Sequence, residues 1–322
     1  MHVKPIQCES LGTRSLATLV ETPDIKILLD PGIALGIRFG LLPHPIEYEL
    51  VQKTTEKLCF EIANKIDAIF ISHYHKDHYI SSFPNYTFHY HSLELAEALY
   101  TDKIIYAKHP RVDVNYSQNK RGVFFEKLVS NIAKQLIWCD GLQFGFNDTI
   151  IRFSPAVWHG TENTPLGFVV QSCITHRNKR FVFGSDYQCL NRSATEWSLI
   201  QKPDLLLVGG PPIYLKDYKI EEDVLDLAKK NLIELSQQIP RILVDHHLLR
   251  SLEWKDWLKE ISTAVEQERG QIYECVADYK SVNPKLLEAQ RKQLYEQDPP
   301  DRNFLKWTKL TKKIRAKSPP PI

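Results

Sequence analysis

The sequence lacks any long hydrophobic run, and no segment approaches the roughly 18–20 consecutive apolar residues that a membrane-spanning helix needs. The first eight residues, which include His2, Lys4 and Pro5, do not form the apolar core of a secretory signal peptide. Internal repeats and low-complexity tracts are also missing. These absences argue against a membrane, secreted or repeat protein. We therefore expect a cytoplasmic globular protein without a membrane span.

Cysteine is sparse and scattered, which argues against a disulfide framework and against a Cys-x-x-Cys site. The six cysteines are scattered through 322 residues without a Cys-x-x-Cys pair: Cys8, Cys59, Cys139, Cys173, Cys189 and Cys275. A disulfide framework is not expected in so long a chain, and free thiols fit a reducing cytoplasm.

The chain has little excess charge of either sign, but what it has is unevenly placed. Its formal net charge is +2, whereas residues 301–322 hold seven Lys or Arg and one Asp, so the tail is net +6 and the rest net −4. A body of that sign does not indicate nucleic-acid binding. The tail places Phe304, Trp307, Leu310 and Ile314 close to one helical face. It could contact nucleic acid, anionic lipid or another partner, or dock on its own domain.

The most informative feature is a run of three histidines and one aspartate within six positions: His73, His75, Asp77 and His78. Imidazole and carboxylate groups together suit zinc, manganese or iron. The preceding residues 67–71 are apolar and β-branched, which predicts a short buried strand. Because residues two positions apart on an extended segment point the same way, His73 and His75 can hold one metal. Asp77 and His78 follow a bend and can reach a second one.

Four more candidate residues follow or end predicted strands. In chain order they are Asp30 before a Pro-Gly turn, His159 after the strand 149–153, Asp186 after Gly184-Ser185, and His246 after the strand 241–244, with His247 as the alternative.

The pattern His-x-His-x-Asp-His, followed by these residues in this order, resembles the metallo-β-lactamase superfamily of binuclear metallohydrolases over about residues 12–250. The resemblance implies an α+β fold, a four-layer αββα sandwich, with two divalent metal ions. Zinc is favoured, and manganese or iron stays possible. The implied ligands are His73, His75 and His159 for one metal, Asp77, His78 and His246 for the other, and Asp186 as the bridge. Asp30 would orient the metal-binding loop through hydrogen bonds.

The resemblance also implies hydrolysis by a hydroxide that bridges the metals, with Asp77 binding metal and orienting the attack. The bond could be an ester, thioester, lactone or phosphodiester, in a small anionic or ester-type substrate. His75 disfavours the iron redox enzymes of this fold, which often carry Glu there. Asp186, where some relatives have Cys, favours the thioesterase, lactonase and nuclease branches. The segments 9–17 and Ser117-Gln118 resemble an uncharacterised archaeal and bacterial branch, which implies no particular substrate.

Two other functions stay open. The first is a nucleic-acid-processing nuclease of the same fold that uses the basic tail as its arm, although the acidic body argues against it. The second is a metal-binding protein without catalysis, against which the complete ligand set argues.

Two further segments are candidates for binding. The polar stretch 108–121 is predicted to be a loop, and its Lys108, Arg111, Lys120 and Arg121 could bind an anionic group of the substrate. A solvated loop is the plainer interpretation. A second His-x-His, at His89 and His91, lacks a following Asp-His, so its rings are not expected to bind metal.

We predict a metallo-β-lactamase-like domain over residues 1–283 and C-terminal helices with a basic, partly disordered tail over residues 284–322. Helices are predicted at 45–66, 92–100, 122–135, 221–238 and 253–268. Strands are predicted at 16–20, 25–30, 67–71, 104–107, 149–153, 167–173, 180–184, 204–208, 241–244 and 272–276.

Overall fold

Two mixed β-sheets form the centre of the fold. The computed structural model describes residues 1–216, 218–265 and 273–322. In spatial order, the first sheet contains β1 (His2–Pro5), β2 (Thr18–Glu21), β3 (Lys26–Leu29), β4 (Ala68–Ile71), β5 (Ile104–Ala107) and β6 (Gln135–Trp138). The remaining strands are β7 (Gln143–Phe146), β8 (Thr149–Phe153), β9 (Val157–Trp158), β10 (Phe168–Val169), β11 (Ser172–His176), β12 (Lys179–Ser185), β13 (Leu205–Val208), β14 (Ile242–Val244) and β15 (Tyr273–Glu274). β9 pairs with β10, and the others form a second sheet in the order β15-β14-β13-β12-β11-β8-β7.

The helices lie mainly between and after the strands. They are α1 (Pro45–Lys57), α2 (Leu93–Tyr100), α3 (Tyr116–Val129), α4 (Arg192–Gln201), α5 (Glu222–Gln238), α6 (Trp254–Val265), α7 (Val276–Tyr279), α8 (Arg291–Gln297), α9 (Arg302–Thr308) and α10 (Lys312–Arg315). Within the described residues, none of these helices has the length and apolar character needed to cross a membrane.

Alternation along the strands produces the layers. In β4, Phe70 packs between the two sheets, whereas Ile69 and Ile71 pack against the helices on the other face. In β12, Phe183 likewise packs between the two sheets, and Val182 packs against the helices on the other face. Successive side chains of a strand point to opposite faces, so a strand that is buried on both sides is apolar throughout.

The outer layers consist of helices. α1, α2 and α3 contribute buried side chains to the cluster that covers the first sheet. α4, α5 and α6 contribute to the cluster that covers the second sheet. The predicted α+β fold with four αββα layers is therefore confirmed.

Most predicted elements are present, and their deviations have local causes. The helix predicted at 122–135 begins earlier, at Tyr116, because the Asn115 side chain accepts a hydrogen bond from the Gln118 backbone N–H and caps the first turn. The prediction of a loop up to residue 121 is therefore wrong from residue 116 on. The strand predicted at 167–173 is instead divided between β10 and β11.

Two predictions reach beyond the described part of the chain. The predicted helix 253–268 corresponds to α6 up to Val265, and its last three residues lie outside the described residues. The predicted strand 272–276 corresponds to β15, and its residue 272 also lies outside them.

The C-terminal segment docks on the body instead of forming one continuous arm. The rings of Phe304 and Trp307 pack on Tyr48 of α1, with centroids 5.9 and 5.6 Å away. Leu310 and Ile314 were predicted to share their helical face, but they stay 37% and 49% exposed because α9 ends at Thr308 and α10 starts a new helix.

Buried ion pairs join the C-terminal segment to the body. The Arg291 guanidinium donates to both carboxylate oxygens of Glu47, at 2.8 and 2.7 Å, and to the Gly36 carbonyl oxygen at 2.6 Å. Glu288 accepts two hydrogen bonds of 2.6 Å from Arg14. Burial tends to raise the pKa of Glu288, but Arg14 and the other nearby arginines outweigh it and hold that pKa at about 2. The division at residue 283 stays a prediction.

Candidate metal centre

The loop after β4 presents the first cluster of histidines. His73 and His78 are fully buried, and His75 is partly exposed. The Nε2 atom of His73 lies 3.0 Å from Nδ1 of His75, and the His73 and His78 ring centroids are 4.2 Å apart. Sequence spacing alone therefore brings these three imidazoles into one small volume.

Asp186, which follows β12, is the centre of the site. Its Oδ2 atom lies within 4.0 Å of an imidazole nitrogen of each of five histidines: His78 at 2.9 Å, His247 at 3.0 Å, His159 at 3.3 Å, His246 at 3.6 Å and His73 at 4.0 Å. One carboxylate thus contacts histidines from three separate parts of the chain.

The potential ligands form groups that match the division expected from sequence. His73, His75, His159 and Asp186 place one donor atom each within 4.8 Å of one another. Asp77, His78 and His246 form a second group by the same distance. The two groups are adjacent, since Asp186 contacts His78 and His246 as well as its own group.

His246 and His247 both reach the site. His246 Nε2 lies 3.4 Å from Asp77 Oδ2, whereas His247 Nε2 lies 3.0 Å from Asp186 Oδ2. Both are close enough to Asp186 to form a further group of donors with it. Sequence treated them as alternatives, and the structure brings the two together.

Several buried polar atoms at the centre fit a metal ion. Among the described residues, His78 Nε2, His159 Nε2, His247 Nδ1 and Asp186 Oδ1 are buried without a hydrogen-bond partner. Such atoms are rare in folded proteins because each carries a desolvation cost. All four atoms belong to residues of the donor groups, and imidazole with carboxylate and no thiolate suits zinc, manganese or iron.

The pKa shifts of two histidines and two carboxylates fit metal binding, whereas Asp186 and Asp30 outweigh burial and raise the pKa of His78. Burial, together with neighbouring imidazoles, lowers the pKa of His73 and His75 well below its ordinary value, which leaves both rings neutral. Burial tends to raise the pKa of Asp77 and Asp186, but nearby histidines outweigh it and lower both pKa values. Neutral imidazoles and ionised carboxylates are the forms that bind metals.

Asp30 lies behind the metal-binding loop, where the sequence predicted it. Its carboxylate accepts hydrogen bonds from the Ser72 backbone N–H at 2.7 Å, from Ser72 Oγ at 2.6 Å and from His78 Nδ1 at 2.8 Å. Since the carboxylate only accepts, the His78 proton sits on Nδ1 and Nε2 is left free for a metal. Ser72 Oγ in turn lies 2.9 Å from His73 Nδ1, so Asp30 influences two of the rings.

Replacing Asp30 with asparagine should weaken metal binding about 10- to 100-fold, because the carboxylate no longer holds the His78 tautomer. The zinc dissociation constant, measured by competition with a chromophoric chelator, tests this. Asp67→Asn is the matched control, since Asp67 is exposed and accepts from the Lys26 backbone N–H. Equal zinc affinities for the two variants would contradict the orienting role of Asp30.

The backbone is strained at three positions around the site. Asp30, Ser185 and His246 have φ values of 43°, 52° and 54°, in the left-handed region. Non-glycine residues there cost free energy and persist where the surrounding structure compensates for it. At all three positions the unusual turn directs a side chain toward the cluster, as the hydrogen bond from Ser185 Oγ to Asp30 illustrates at 2.9 Å.

Arg250 is a site residue that the sequence did not reveal. It is buried, its Nη2 lies 3.0 Å from His246 Nε2 and 3.6 Å from Asp77 Oδ2, and its Nε donates to Glu9 at 3.1 Å. Its Nη1 donates a hydrogen bond to the Tyr214 hydroxyl at 3.3 Å. Its position four residues after His246 was the sole sequence signal, and that spacing is too common to be informative.

A cavity of about 920 Å³ opens above the cluster. Asp186 and His159 lie at its base, while the segment 160–166 and the residues Pro212, Tyr214, Leu215, Lys219, Ile220 and Glu221 line other parts of its wall. Its lining includes five basic side chains: Arg14, Lys76, Arg121, Lys219 and Arg250. Its volume suits a small-molecule ligand.

The four predicted substrate residues have different surroundings. Lys108 is buried away from the cavity, and its ammonium donates to Asp140 Oδ1 and to the Val112 carbonyl oxygen, both at 2.8 Å. Arg111 pairs with Glu126 on the surface. Lys120 is exposed and, like these two, is not among the described residues that line the cavity. Arg121 does line it.

The two histidines of the second His-x-His motif pack and hydrogen-bond within the protein. The rings of His89 and His91 stack with centroids 4.0 Å apart. His91 lies between the Ser81 backbone N–H and the Ile33 carbonyl oxygen, at 3.2 and 3.0 Å. In the described part of the chain, neither belongs to a group of three potential metal donors.

Comparison with known proteins identifies both relatives and fold. No family model matches the chain. UPF0282 proteins are similar to it: one from Thermococcus gammatolerans is 40% identical over 300 residues, which cover 92% of this chain and 96% of the relative. One from Methanosarcina mazei is 37% identical over 308 residues, covering 94% and 95%.

The structure is similar to the metallo-β-lactamase fold protein YhfI from Bacillus subtilis, with a TM-score of 0.50 and 14% identity, over 85% of this chain and 94% of that protein. At this identity the similarity establishes the fold, and it confirms the predicted resemblance. The chain therefore belongs to the UPF0282 family and has the metallo-β-lactamase fold.

Proposed function

We propose that this protein is a hydrolase that binds two divalent metal ions, zinc in the first instance, around Asp186. The observation that carries the proposal is the meeting of two adjacent donor groups at one buried carboxylate at the base of a cavity. A structural metal site would have no need of a ligand-sized space beside it.

The proposed ligands are the ones that the sequence predicted. One metal would be held by His73, His75 and His159, and the other by Asp77, His78 and His246, with Asp186 shared by both. His247, which lies beside Asp186, is a further potential ligand. Two such metals supply Lewis acidity and lower the pKa of a water, to about 7 in a favourable zinc site.

Asp77 is the proposed catalytic residue. Its carboxylate lines the cavity, and its low pKa keeps it ionised, so it can accept a hydrogen bond from the attacking water and direct it. Arg250, 3.6 Å from Asp77 Oδ2, would position that carboxylate. Arg250 is itself held in place by an ion pair with Glu9.

The substrate proposed for this cavity is a small molecule with an ester, thioester, lactone or phosphodiester bond, and the six free cysteines fit a cytoplasmic location. A nuclease is the second candidate. One observation favours it: Lys306, Lys309, Lys312 and Lys313 are exposed on the docked C-terminal helices and form a basic surface.

The test combines metal analysis with a substrate panel. Protein stripped with a chelator and reloaded with zinc, manganese or iron should bind about two ions per chain. Plasma mass spectrometry measures the metal, and model esters, thioesters, lactones, phosphodiesters and short RNA report the bond that is cut. Activity should disappear on chelation and return on reloading.

The outcomes separate the alternatives. Absence of bound metal after reloading would contradict the proposal. Metal without turnover of any probe would favour a binding protein. Cleavage of RNA that is lost when Lys306, Lys309, Lys312 and Lys313 are replaced by glutamine would favour the nuclease.

A further inference from the structure

Two basic side chains form one wall of the cavity beside the metal centre. Arg121 extends from α3, and its Nε donates to the Ser117 carbonyl oxygen at 3.1 Å. Lys76 lies between His75 and Asp77 in the chain, and its Nζ donates to the Tyr79 hydroxyl at 2.6 Å, 4.4 Å from the centre of that ring. Both side chains line the cavity directly.

Neither side chain has an acidic partner in the described part of the protein, and burial, with a smaller effect of Arg121, lowers the pKa of Lys76 to about 7. Among the described residues, no carboxylate lies within ion-pair distance of Lys76 or Arg121. Burial lowers the pKa of Arg121, and the groups that oppose this are Tyr79 and then Asp77, which is a proposed metal ligand. Two like charges that are largely removed from water and left without a counter-ion are unfavourable.

Two other basic side chains of the cavity lining, Arg14 and Arg250, have acidic partners. Arg14 is paired with Glu288 at 2.6 Å, and Arg250 with Glu9 at 3.1 Å. Those two arginines are neutralised within the protein and have structural partners. The cavity therefore has an excess of positive charge at the Lys76 and Arg121 wall.

The Lys76 and Arg121 wall also has a defined apolar edge. A small adjoining pocket of about 40 Å³ is lined by both basic residues and by Phe83 and Phe124, whose rings are 5.8 Å apart. Apolar walls lower the local dielectric constant and strengthen the attraction between an anion and the two cations.

We propose that Arg121 and Lys76 form an anion-binding subsite that holds a carboxylate or phosphate group of the substrate, separate from the bond that is cut. The inference rests on the proposed function. It narrows the substrate class to anionic molecules. Since Lys76 lies between two proposed metal ligands in the chain, the anionic group is held close to the reacting bond. The guanidinium of Arg121 can bind either group with two hydrogen bonds, and the ammonium of Lys76 adds a point charge.

Binding of two simple anions tests the subsite without requiring turnover. Inorganic phosphate and succinate are titrated calorimetrically into the zinc-loaded full chain at constant ionic strength, and again after chelation. Arg121→Gln should weaken binding of the preferred anion at least about tenfold in both states. Lys127→Gln is the matched control, because it removes one exposed positive charge from the same helix and should change the affinity less than about twofold. The preferred probe distinguishes phosphate from carboxylate.

Two substitutions of Lys76, one that keeps its positive charge and one that removes it, test the subsite a second time. Lys76→Arg should retain anion binding, whereas Lys76→Met should weaken it by a similar factor to Arg121→Gln. Equal affinities in Arg121→Gln and Lys127→Gln, for both anions, would overturn the subsite.

A turnover measurement adds the substrate preference. The neutral ester p-nitrophenyl acetate is compared with the mono-p-nitrophenyl ester of succinate, which carries a free carboxylate and the same leaving group. Arg121→Gln should lower kcat/KM at least about tenfold more for the anionic ester than for the neutral ester. An equal fall for both esters would overturn the inference. If the protein binds the anions through Arg121 but hydrolyses no probe, the subsite is supported and the proposed hydrolase function fails.

Discussion

Replacing Asp186 with alanine is expected to reduce bound zinc from about two ions per chain to fewer than one, and to lower turnover by more than about 100-fold. The reason is its position. Its Oδ2 lies within 4.0 Å of five histidines, so its removal deprives both donor groups of their shared carboxylate. Loss of an orienting residue behind a metal already costs up to about 100-fold, and a shared ligand should cost more.

The measurement is metal content and activity on the same preparations. Asp148→Ala is the control, because Asp148 is 56% exposed and pairs with Arg177 on the surface. Circular dichroism verifies that the variant is folded. A folded Asp186→Ala protein with full zinc content would show that the cluster holds its metals without a bridging carboxylate, and would contradict the proposed arrangement.

Replacing Arg291 with methionine is expected to lower the free energy of unfolding by about 3–5 kcal/mol. Arg291 is fully buried, and its guanidinium makes two hydrogen bonds to Glu47 of α1. The substitution leaves Glu47 buried with its principal counter-ion gone. Breaking one half of a buried ion pair is costly because the remaining charge stays desolvated.

Urea denaturation measures the effect, and two variants interpret it. Replacing both partners, Glu47→Leu with Arg291→Met, should recover part of the lost stability, since neither charge is then left unpaired. Arg302→Met is the control, because Arg302 is exposed at the start of α9. A change below about 0.5 kcal/mol for Arg291→Met would contradict a stabilising role for this ion pair.

The same denaturation curves test the predicted domain division at residue 283. If residues 284–322 form a separate unit, Arg291→Met should release them in a transition before the body unfolds. If they are part of one cooperative unit, a single transition should move to lower urea concentration. The packing of Phe304 and Trp307 on Tyr48 favours the single transition.

Much of the centre could be predicted from the order of residues along the chain. The candidate ligands follow short apolar strands, as His73 follows β4 and Asp186 follows β12, and strand ends are readable from periodicity and turn residues. The spacing within His73 to His78 is local, so its geometry needed only an extended segment and a bend. The same local rules predicted the start of a helix at Ser92, whose side chain accepts from the Leu95 backbone N–H at 3.2 Å and caps α2.

The basic residues predicted to bind substrate could not be assigned as reliably as the metal ligands. Lys108, Arg111, Lys120 and Arg121 were indistinguishable in sequence because all four are basic and lie in one polar stretch. Their environments depend on partners distant in the chain, such as Asp140 for Lys108. Lys76 was overlooked because it occupies a variable position of the metal-binding motif.

By itself, the sequence determined most of the strands, though not β1, β6, β7 or β9, the alternating burial that requires two packed sheets, and the residue types that can hold metal. These properties depend on neighbours within a few positions. The tertiary structure decided which distant residues meet: both His246 and His247 contact Asp186, Arg250 reaches Asp77, and Arg121 faces the cavity beside Lys76. Contacts of this kind follow from the order of the strands in the sheets and from side-chain direction at each strand end, which no local pattern of residues encodes.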